Sequence, residues 1–394
     1  MRNLIRRLMW RWLSCLDAMG MQAAAMRMLS AWLRRAPADT GVAKELLLRE
    51  NAAVTGRAPL GIFHAATMDP ERSRRGEAYV HRLHNVLVDT EFDAVFDGDK
   101  VYAYEISGRN LFNHPWVSGR SHPEAGVYGV VLPAPSLKLE VPIVLLGTDG
   151  AINYSHWLSR IVLKLAVLEK AGIPASFPLL INENLARYQH EFLSLLHIPE
   201  ERLLRLPKGI AVQCREILVP ISVRNHPQMR DAIAWLRTRL ASHIAPPEEA
   251  NERLFVSRRD SPVRVLLNEP EIESALADLG FKTVVLGELS VAEQIRCFSR
   301  AGVIVGAHGA GLSNLVFAPA HARVVEITNT RVRHMQDFRI IAAQTGMRYT
   351  EVVSAWYAEP RVDAPSQNPQ HRDYFANVGD VVAAILEIAP ELSG

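Results

Sequence analysis

A chain of 394 residues is longer than one hydrophobic core usually supports, about 250 to 300 residues, so two domains are expected. With 48% apolar and 22% charged residues and a formal net charge of +2, the composition excludes a disordered or fibrous protein and leaves no global field to draw it to nucleic acid. Cys15, Cys214 and Cys297 lie too far apart for a metal knuckle or a disulfide framework and are read as reduced.

The first predicted element is a helix. Leu4, Ile5, Leu8, Met9, Trp12, Leu13 and Leu16 recur on one helical face, and the seven arginines of the first 35 residues stand against one acid, Asp17. Such a basic amphipathic helix suits the headgroup layer of an anionic membrane; a helix packed on its own protein, its arginines reaching to solvent, is the alternative. No run of about 18 uncharged apolar residues follows, and Arg6, Arg7 and Arg11 interrupt any signal-peptide stretch, so the expected location is cytoplasmic, at most peripheral at the inner face of a membrane.

From about Pro59 to Pro142, short β-prone runs alternate with turn residues, as in Ala94–Phe96, Asp97–Lys100 and Val101–Tyr104. A buried-type strand at Val141–Leu146 then leads through Gly147–Gly150 into an apolar-periodic helix from about Ser155 to Ala171. Strands are predicted at Pro178–Ile181, Ile217–Pro220, Arg253–Ser257, Lys282–Leu286, Val303–Gly306 and Arg323–Ile327. Helices are predicted at Asn184–Leu196, Gln228–His243, Glu269–Leu279, Ser290–Ser299 and Val378–Ile388. This alternation predicts an α/β protein of two facing Rossmann-like domains: a helical extension over 1–50, an acceptor-side domain over 51–225, a donor-binding domain over 226–365, and a terminal helix within 366–394 packing back.

The run His308-Gly309-Ala310-Gly311-Leu312-Ser313-Asn314 follows the strand Val303–Gly306. Small residues after a buried strand let the backbone approach a ligand, and the amides of a following helical turn favour an anion such as a diphosphate. Arg258, Arg259 and Arg264 stand at a neighbouring strand end, where a guanidinium can grip phosphate oxygens in a fork. Glu326, near the end of the strand Arg323–Ile327, is placed where a carboxylate can accept hydrogen bonds from ribose hydroxyls; a surface or salt-bridged glutamate is the alternative. Asp97-Gly98-Asp99 spells a metal-binding Asp-x-Asp but falls in a predicted hairpin turn.

The stretch Leu254–Ile327, with its paired arginines, Arg264 ahead of Asn268-Glu269, Gly280-Phe281, Leu289-Ser290 with Glu293-Gln294, and the His308–Asn314 run, resembles the core of glycosyltransferase family 61. Ile152–Ile173 resembles the segment preceding that core, so the resemblance covers roughly 140 to 330. It implies the two-domain GT-B arrangement, inversion at the anomeric carbon and a nucleotide-sugar co-substrate, with no divalent metal or other cofactor. It places the donor pyrophosphate near Arg258, Arg259, Arg264 and the amides of His308 to Ser313. Inversion requires a base for the acceptor hydroxyl, for which Asp149 and His156 are the candidates, with Asn153 and Tyr154 shaping the loop or touching the acceptor. The implied partners are a nucleotide sugar, with UDP the expected nucleotide, and a glycan or lipid-linked acceptor in bacterial surface or capsular polysaccharide assembly. A non-hydrolysing nucleotide-sugar epimerase and an inactive assembly factor retaining the fold are the alternatives.

Overall fold

The computed structural model describes residues 61–66, 68–69, 71–72, 75–90, 94–103, 127–130, 135–359, 366 and 368–393. The basic helix expected over residues 1–35, and the whole 1–50 extension, lie outside the described residues. Among the described residues no helix is long and apolar enough to cross a membrane.

The chain divides into two compact units. The first takes the described residues up to Met68, then Leu83–Pro142 and Pro207–Ile217; the second takes Asp69–Arg82, Ile143–Leu206 and the chain from Leu218 onward. The first unit is built of strands. They are β1 (Gly61–Ala65), β2 (Val80–Asp89, in this unit from Leu83), β3 (Val95–Asp97), β4 (Lys100–Tyr102), β5 (Val127–Val130) and β6 (Pro135–Leu139). β3 and β4 form the predicted hairpin, Asp97 facing Lys100, and Gly98 at φ +60° makes its turn. β1 pairs β4 in parallel and β5 antiparallel, over a small core of Ala94, Phe96, Val101, Tyr128 and Val130.

The second unit carries two parallel layers. β7 (Ile143–Leu145), β8 (Leu179–Ile181) and β9 (Leu203–Arg205) pair in sequence. β10 (Ala211–Pro220), longer than the predicted Ile217–Pro220, belongs to the first unit as far as Ile217 and to the second from Leu218. The other layer has the order β12-β11-β13-β14-β15, from β11 (Glu252–Val256), β12 (Lys282–Val284), β13 (Ala301–Ala307), β14 (Arg323–Asn329) and β15 (Arg348–Ser354). All four pairings are parallel, as buried, near-continuous runs such as Val303-Ile304-Val305 require.

The helices are α1 (Tyr154–His156), α2 (Lys164–Lys170), α3 (Arg187–Leu195), α4 (Met229–Arg239), α5 (Glu269–Asp278), α6 (Val291–Ser299), α7 (Asp337–Thr345) and α8 (Val378–Ile388). The single helix expected over Ser155–Ala171 is instead α1, a π-helical Trp157–Val162 and α2. Every residue from Trp157 to Leu168 is buried, including Arg160 and Lys164. Burial, then the nearby Arg160 charge, lowers the pKa of Lys164 to about 7.

Two faces of the five-stranded sheet are filled differently. Leu254, Val256, Ile304 and Val324 join Val144, Leu146, Leu158, Ile161, Leu312 and Leu315 in one core. Phe255, Val303, Val305, Val325 and Ile327 point the other way, onto Ile272 and Leu276 of α5 and Val381 and Ile385 of α8. The first of these cores explains a difference from the expected division at 225/226. Residues 143–206 share their apolar contacts with the C-terminal sheet, so they close with it into one unit.

Candidate functional site

A cavity of about 550 Å³ opens at the carboxyl ends of β11, β12 and β13, within the second unit. Ligands of parallel α/β sheets sit in this position, because loops diverge there and helix starts face outward. Asn153, Tyr154, Tyr188 and Glu191 line it from the β7–β9 layer. The five-stranded layer supplies Arg258, Asp260, Arg264, Gly309, Ala310 and Gly311.

The glycine turn is shaped by sheet packing. The His308 N–H donates to Ile327 O at 2.8 Å, prolonging the β13–β14 ladder by one residue, so this amide is not available to a ligand as expected. The 3-10 helix Ala310–Phe317 follows, and its first bond runs from Leu312 N–H to Gly309 O at 3.0 Å. The amides of Gly309, Ala310 and Gly311 precede that bond, and as the leading donors of a helical turn they have no acceptor within it. Of the expected loop residues, Gly309, Ala310, Gly311 and Leu312 line the cavity. His308, Ser313 and Asn314 are buried beneath it.

Arg258 explains Gly309. A Cβ built on Gly309 would overlap Arg258 Nη1, so the guanidinium lies directly on the face that the missing side chain leaves open. Arg258 Nε donates to Arg264 O at 3.3 Å and Nη2 donates to Val263 O at 3.1 Å, while its backbone N–H donates to the buried Glu269 at 3.0 Å. Arg264 occupies the left-handed region at φ +56°, unusual for a residue with a Cβ, and its N–H donates to His371 O at 2.9 Å. Its Nε is buried without a hydrogen-bond partner. Among the described residues no carboxylate forms an ion pair with either arginine. Burial, and then the Arg258 charge, lowers Arg264 to about 10, and burial lowers Arg258 as well. Two buried cations thus share one wall, and an anion in the cavity would relieve them.

Arg259, expected beside them, turns away. Its Nε donates to Ser257 Oγ at 3.0 Å and its Nη2 pairs with Glu273 at 3.2 Å, outside the cavity lining. Glu326, expected at the ribose, is buried in the body of β14 opposite Gly306. One carboxylate oxygen bonds His308 Nδ1, and the other accepts from the Tyr349 hydroxyl, so Glu326 supports the turn from below. Burial, then the Glu326 charge, raises the Tyr349 pKa and keeps that phenol protonated.

Across the cavity, Asn153 Oδ1 caps the α1 start by accepting from Ser155 and His156 N–H at 2.9 and 3.3 Å. The Tyr154 ring packs on Tyr188 and Phe192 at centroid distances of 5.2 and 6.0 Å, and its hydroxyl donates to Asn314 at 2.6 Å. Asp149 and His156 are half-buried and are not among the lining residues.

Several lining residues went unread in the sequence. Asp260 accepts the Gly287 N–H at 3.0 Å, tying the β11 and β12 loops together. Glu191 accepts from Val291 N–H and Arg187 Nε, each at 2.6 Å. His371 bonds Ser366 Oγ through Nδ1 at 2.8 Å; burial, then Arg264 and Arg258, lowers its pKa and favours the neutral ring. These three come from a loop, a helix and a distant segment with no shared spacing, so only Asp260, two residues beyond Arg258, left a local signal.

Residues 154–325 match the family model described as Glycosyltransferase 61, a span that includes Tyr154, both cavity arginines and the glycine turn. The chain carries a glycosyltransferase 61 domain. An alpha-1,3-arabinosyltransferase of Oryza sativa subsp. japonica is 42% identical over 79 residues, 19% of this chain and 13% of that protein. A beta-1,2-xylosyltransferase of the same plant is 36% identical over 100 residues, 25% of this chain and 17% of that protein. The EGF domain-specific O-linked N-acetylglucosamine transferase of Mus musculus is 32% identical over 152 residues, 36% of this chain and 28% of that protein. The matched stretches therefore span less than a third of each of these relatives. Tyr154 is the first matched residue, and Glu326 lies just past the last.

Proposed function

We propose that this chain transfers a sugar from a nucleotide-sugar donor, with UDP as its nucleotide, to a glycan or lipid-linked acceptor. The observation that carries the reading is the pair Arg258 and Arg264, two guanidiniums on one cavity wall with no carboxylate ion pair among the described residues, beside the leading amides of a glycine turn. A diphosphate leaving group gains negative charge as the glycosidic bond breaks, and donors fixed in place beforehand stabilise that charge without reorganising. In this reading the arginines and the amides of Gly309, Ala310 and Gly311 take the role a divalent ion would otherwise fill. The β7–β9 layer and the five-stranded layer would form the donor cleft of a GT-B arrangement. Inversion would need a base on the face opposite the diphosphate, for which Asp149 and His156 are our test pair. Residues 1–35, by their sequence, are our choice for contact with an anionic membrane, and surface-polysaccharide assembly for the process served.

The test is calorimetric titration of UDP into the wild type, Arg258→Ala and Arg264→Ala, followed by turnover with UDP-N-acetylglucosamine, UDP-xylose and UDP-arabinose, the sugars named by the relatives. UDP should bind the wild type, each variant should bind at least about tenfold more weakly, as loss of a hydrogen bond to a charged group implies, and EDTA should leave turnover unchanged. If UDP binds all three proteins equally, the arginines do not hold a diphosphate and the reading falls.

A further inference from the structure

Three side chains behind the cavity form a hydrogen-bond relay whose direction is fixed at one end by the main chain. Gln294 Nε2 donates to Leu286 O at 3.0 Å and to Leu289 O at 3.3 Å. A carbonyl can only accept, so these two acceptors orient the Gln294 amide and aim its Oε1 at Asn314. Asn314 Nδ2 donates to that oxygen at 3.0 Å and to a third carbonyl, Gly311 O, at 3.1 Å. Asn314 is thereby oriented twice over, and its Oδ1 is left to face Tyr154. The 2.6 Å contact between Tyr154 Oη and Asn314 Oδ1 then admits one arrangement, in which the phenol donates. Asn314 is fully buried and Gln294 nearly so, so the bond between them at the centre of the relay is shielded from water.

Tyr154, Gln294 and Gly311 all line the cavity. With its single proton committed to Asn314, the Tyr154 hydroxyl can meet a ligand only as an acceptor. We propose that Tyr154 determines specificity by polarity: it takes a hydrogen-bond donor of the ligand, a hydroxyl or an N–H, and rejects a group that can only accept. This rests on the nucleotide-sugar reading above and adds to it which side of a hydrogen bond the protein requires. The donor could come from the transferred sugar or from the nucleoside, and the two sources separate experimentally. The same relay ties the glycine turn, through Gly311 O, to the Leu286–Leu289 loop, so the acceptor is held in register with the arginine wall.

The experiment compares wild type with Tyr154→Phe, which keeps the ring packed on Tyr188 and Phe192, by titration with UDP, UDP-N-acetylglucosamine and UDP-xylose. A lost neutral hydrogen bond should weaken binding about two- to thirteenfold. Weakening of the UDP-sugars alone assigns the contact to the sugar; equal weakening of UDP assigns it to the nucleoside. Because the variant also removes Asn314's donor and could lower stability, a second arm uses wild-type protein. There, sugar or ribose hydroxyls are replaced singly by fluorine, which keeps the size and removes the donor, and the uracil N–H is methylated. One replacement should cost the wild type a factor within the same range and cost Tyr154→Phe nothing further. If Tyr154→Phe binds every probe as wild type does, or if no replacement is felt by the wild type, the proposal is overturned while UDP binding leaves the parent reading standing. Failure of wild type to bind UDP or either UDP-sugar overturns both.

Discussion

Gly309→Ala isolates the contact between the glycine turn and the arginine wall. Gly309 sits at φ −175° and ψ 164°, extended backbone that alanine adopts without strain, so any effect must come from the added methyl. That methyl would occupy the place of Arg258 Nη1. The guanidinium must move, and its bonds to Arg264 O at 3.3 Å and Val263 O at 3.1 Å move with it. If Arg258 grips a diphosphate, losing that charge-assisted contact removes about 1.5–3 kcal/mol of binding. At about 1.36 kcal/mol per decade, UDP should bind roughly 13- to 160-fold more weakly by titration calorimetry. The double variant Gly309→Ala with Arg258→Ala should bind little worse than either single one, because both changes remove the same contact. A Gly309→Ala protein that binds UDP within about twofold of wild type, or additive losses in the double variant, would refute this account.

Arg264→Gly removes a side chain held at φ +56° and a cation buried beside another, so the unliganded melting temperature should hold or rise while UDP binding weakens at least about tenfold; a clear fall in the unliganded value would count against the strain. Glu326→Gln leaves one of the two donors, His308 Nδ1 or the Tyr349 hydroxyl, facing an amide N–H, and should destabilise the fold by about 1–3 kcal/mol in urea melts with an unchanged m-value. Lys164 has a folded pKa of about 7 against an ordinary 10.5. Between those values the unfolded chain holds a proton that the folded one lacks, so stability should rise with pH from about 7 to about 10. Thermal melts should show that rise in wild type and a flatter profile in Lys164→Met.

The parts of the site legible in the sequence were those declared by backbone chemistry. Val303-Ile304-Val305 followed by Gly306 to Gly311 reads as a strand running into a glycine turn, because few other segments combine a buried strand with so many small residues. Arg258 and Arg264 were legible as charge at a strand end, but Arg259 was not separable from them. Successive residues leave a chain on different sides, and Ser257 and Glu273 decide which side takes Arg259. Glu326 was misplaced for a matter of length. The predicted strand stopped at Ile327, putting the carboxylate near its end; the observed strand continues to Asn329, which draws Glu326 back into the sheet opposite Gly306. The helix after β7 was found, but its π-helical middle has no sequence marker, since the apolar residues there satisfy an ordinary helical period nearly as well.

The second unit is stitched together from stretches far apart in the chain, and this constrains how it can be made. Ala78 and Val80 pack against its main core, yet they are synthesised well before β11 to β15. Phe255, Val303, Val305, Val325 and Ile327 wait for Tyr374, Val381 and Ile385 to cover them. At roughly 5 to 20 residues per second, a ribosome leaves that face of β14 bare for several seconds, long enough for strand edges to find wrong partners. A chain severed near 225/226, where the sequence alone suggests a boundary, would strand 143–206 without Leu254, Val256 and Leu312, and neither piece should fold as a unit. The emerging polypeptide therefore keeps that apolar face uncovered until α8 has been made.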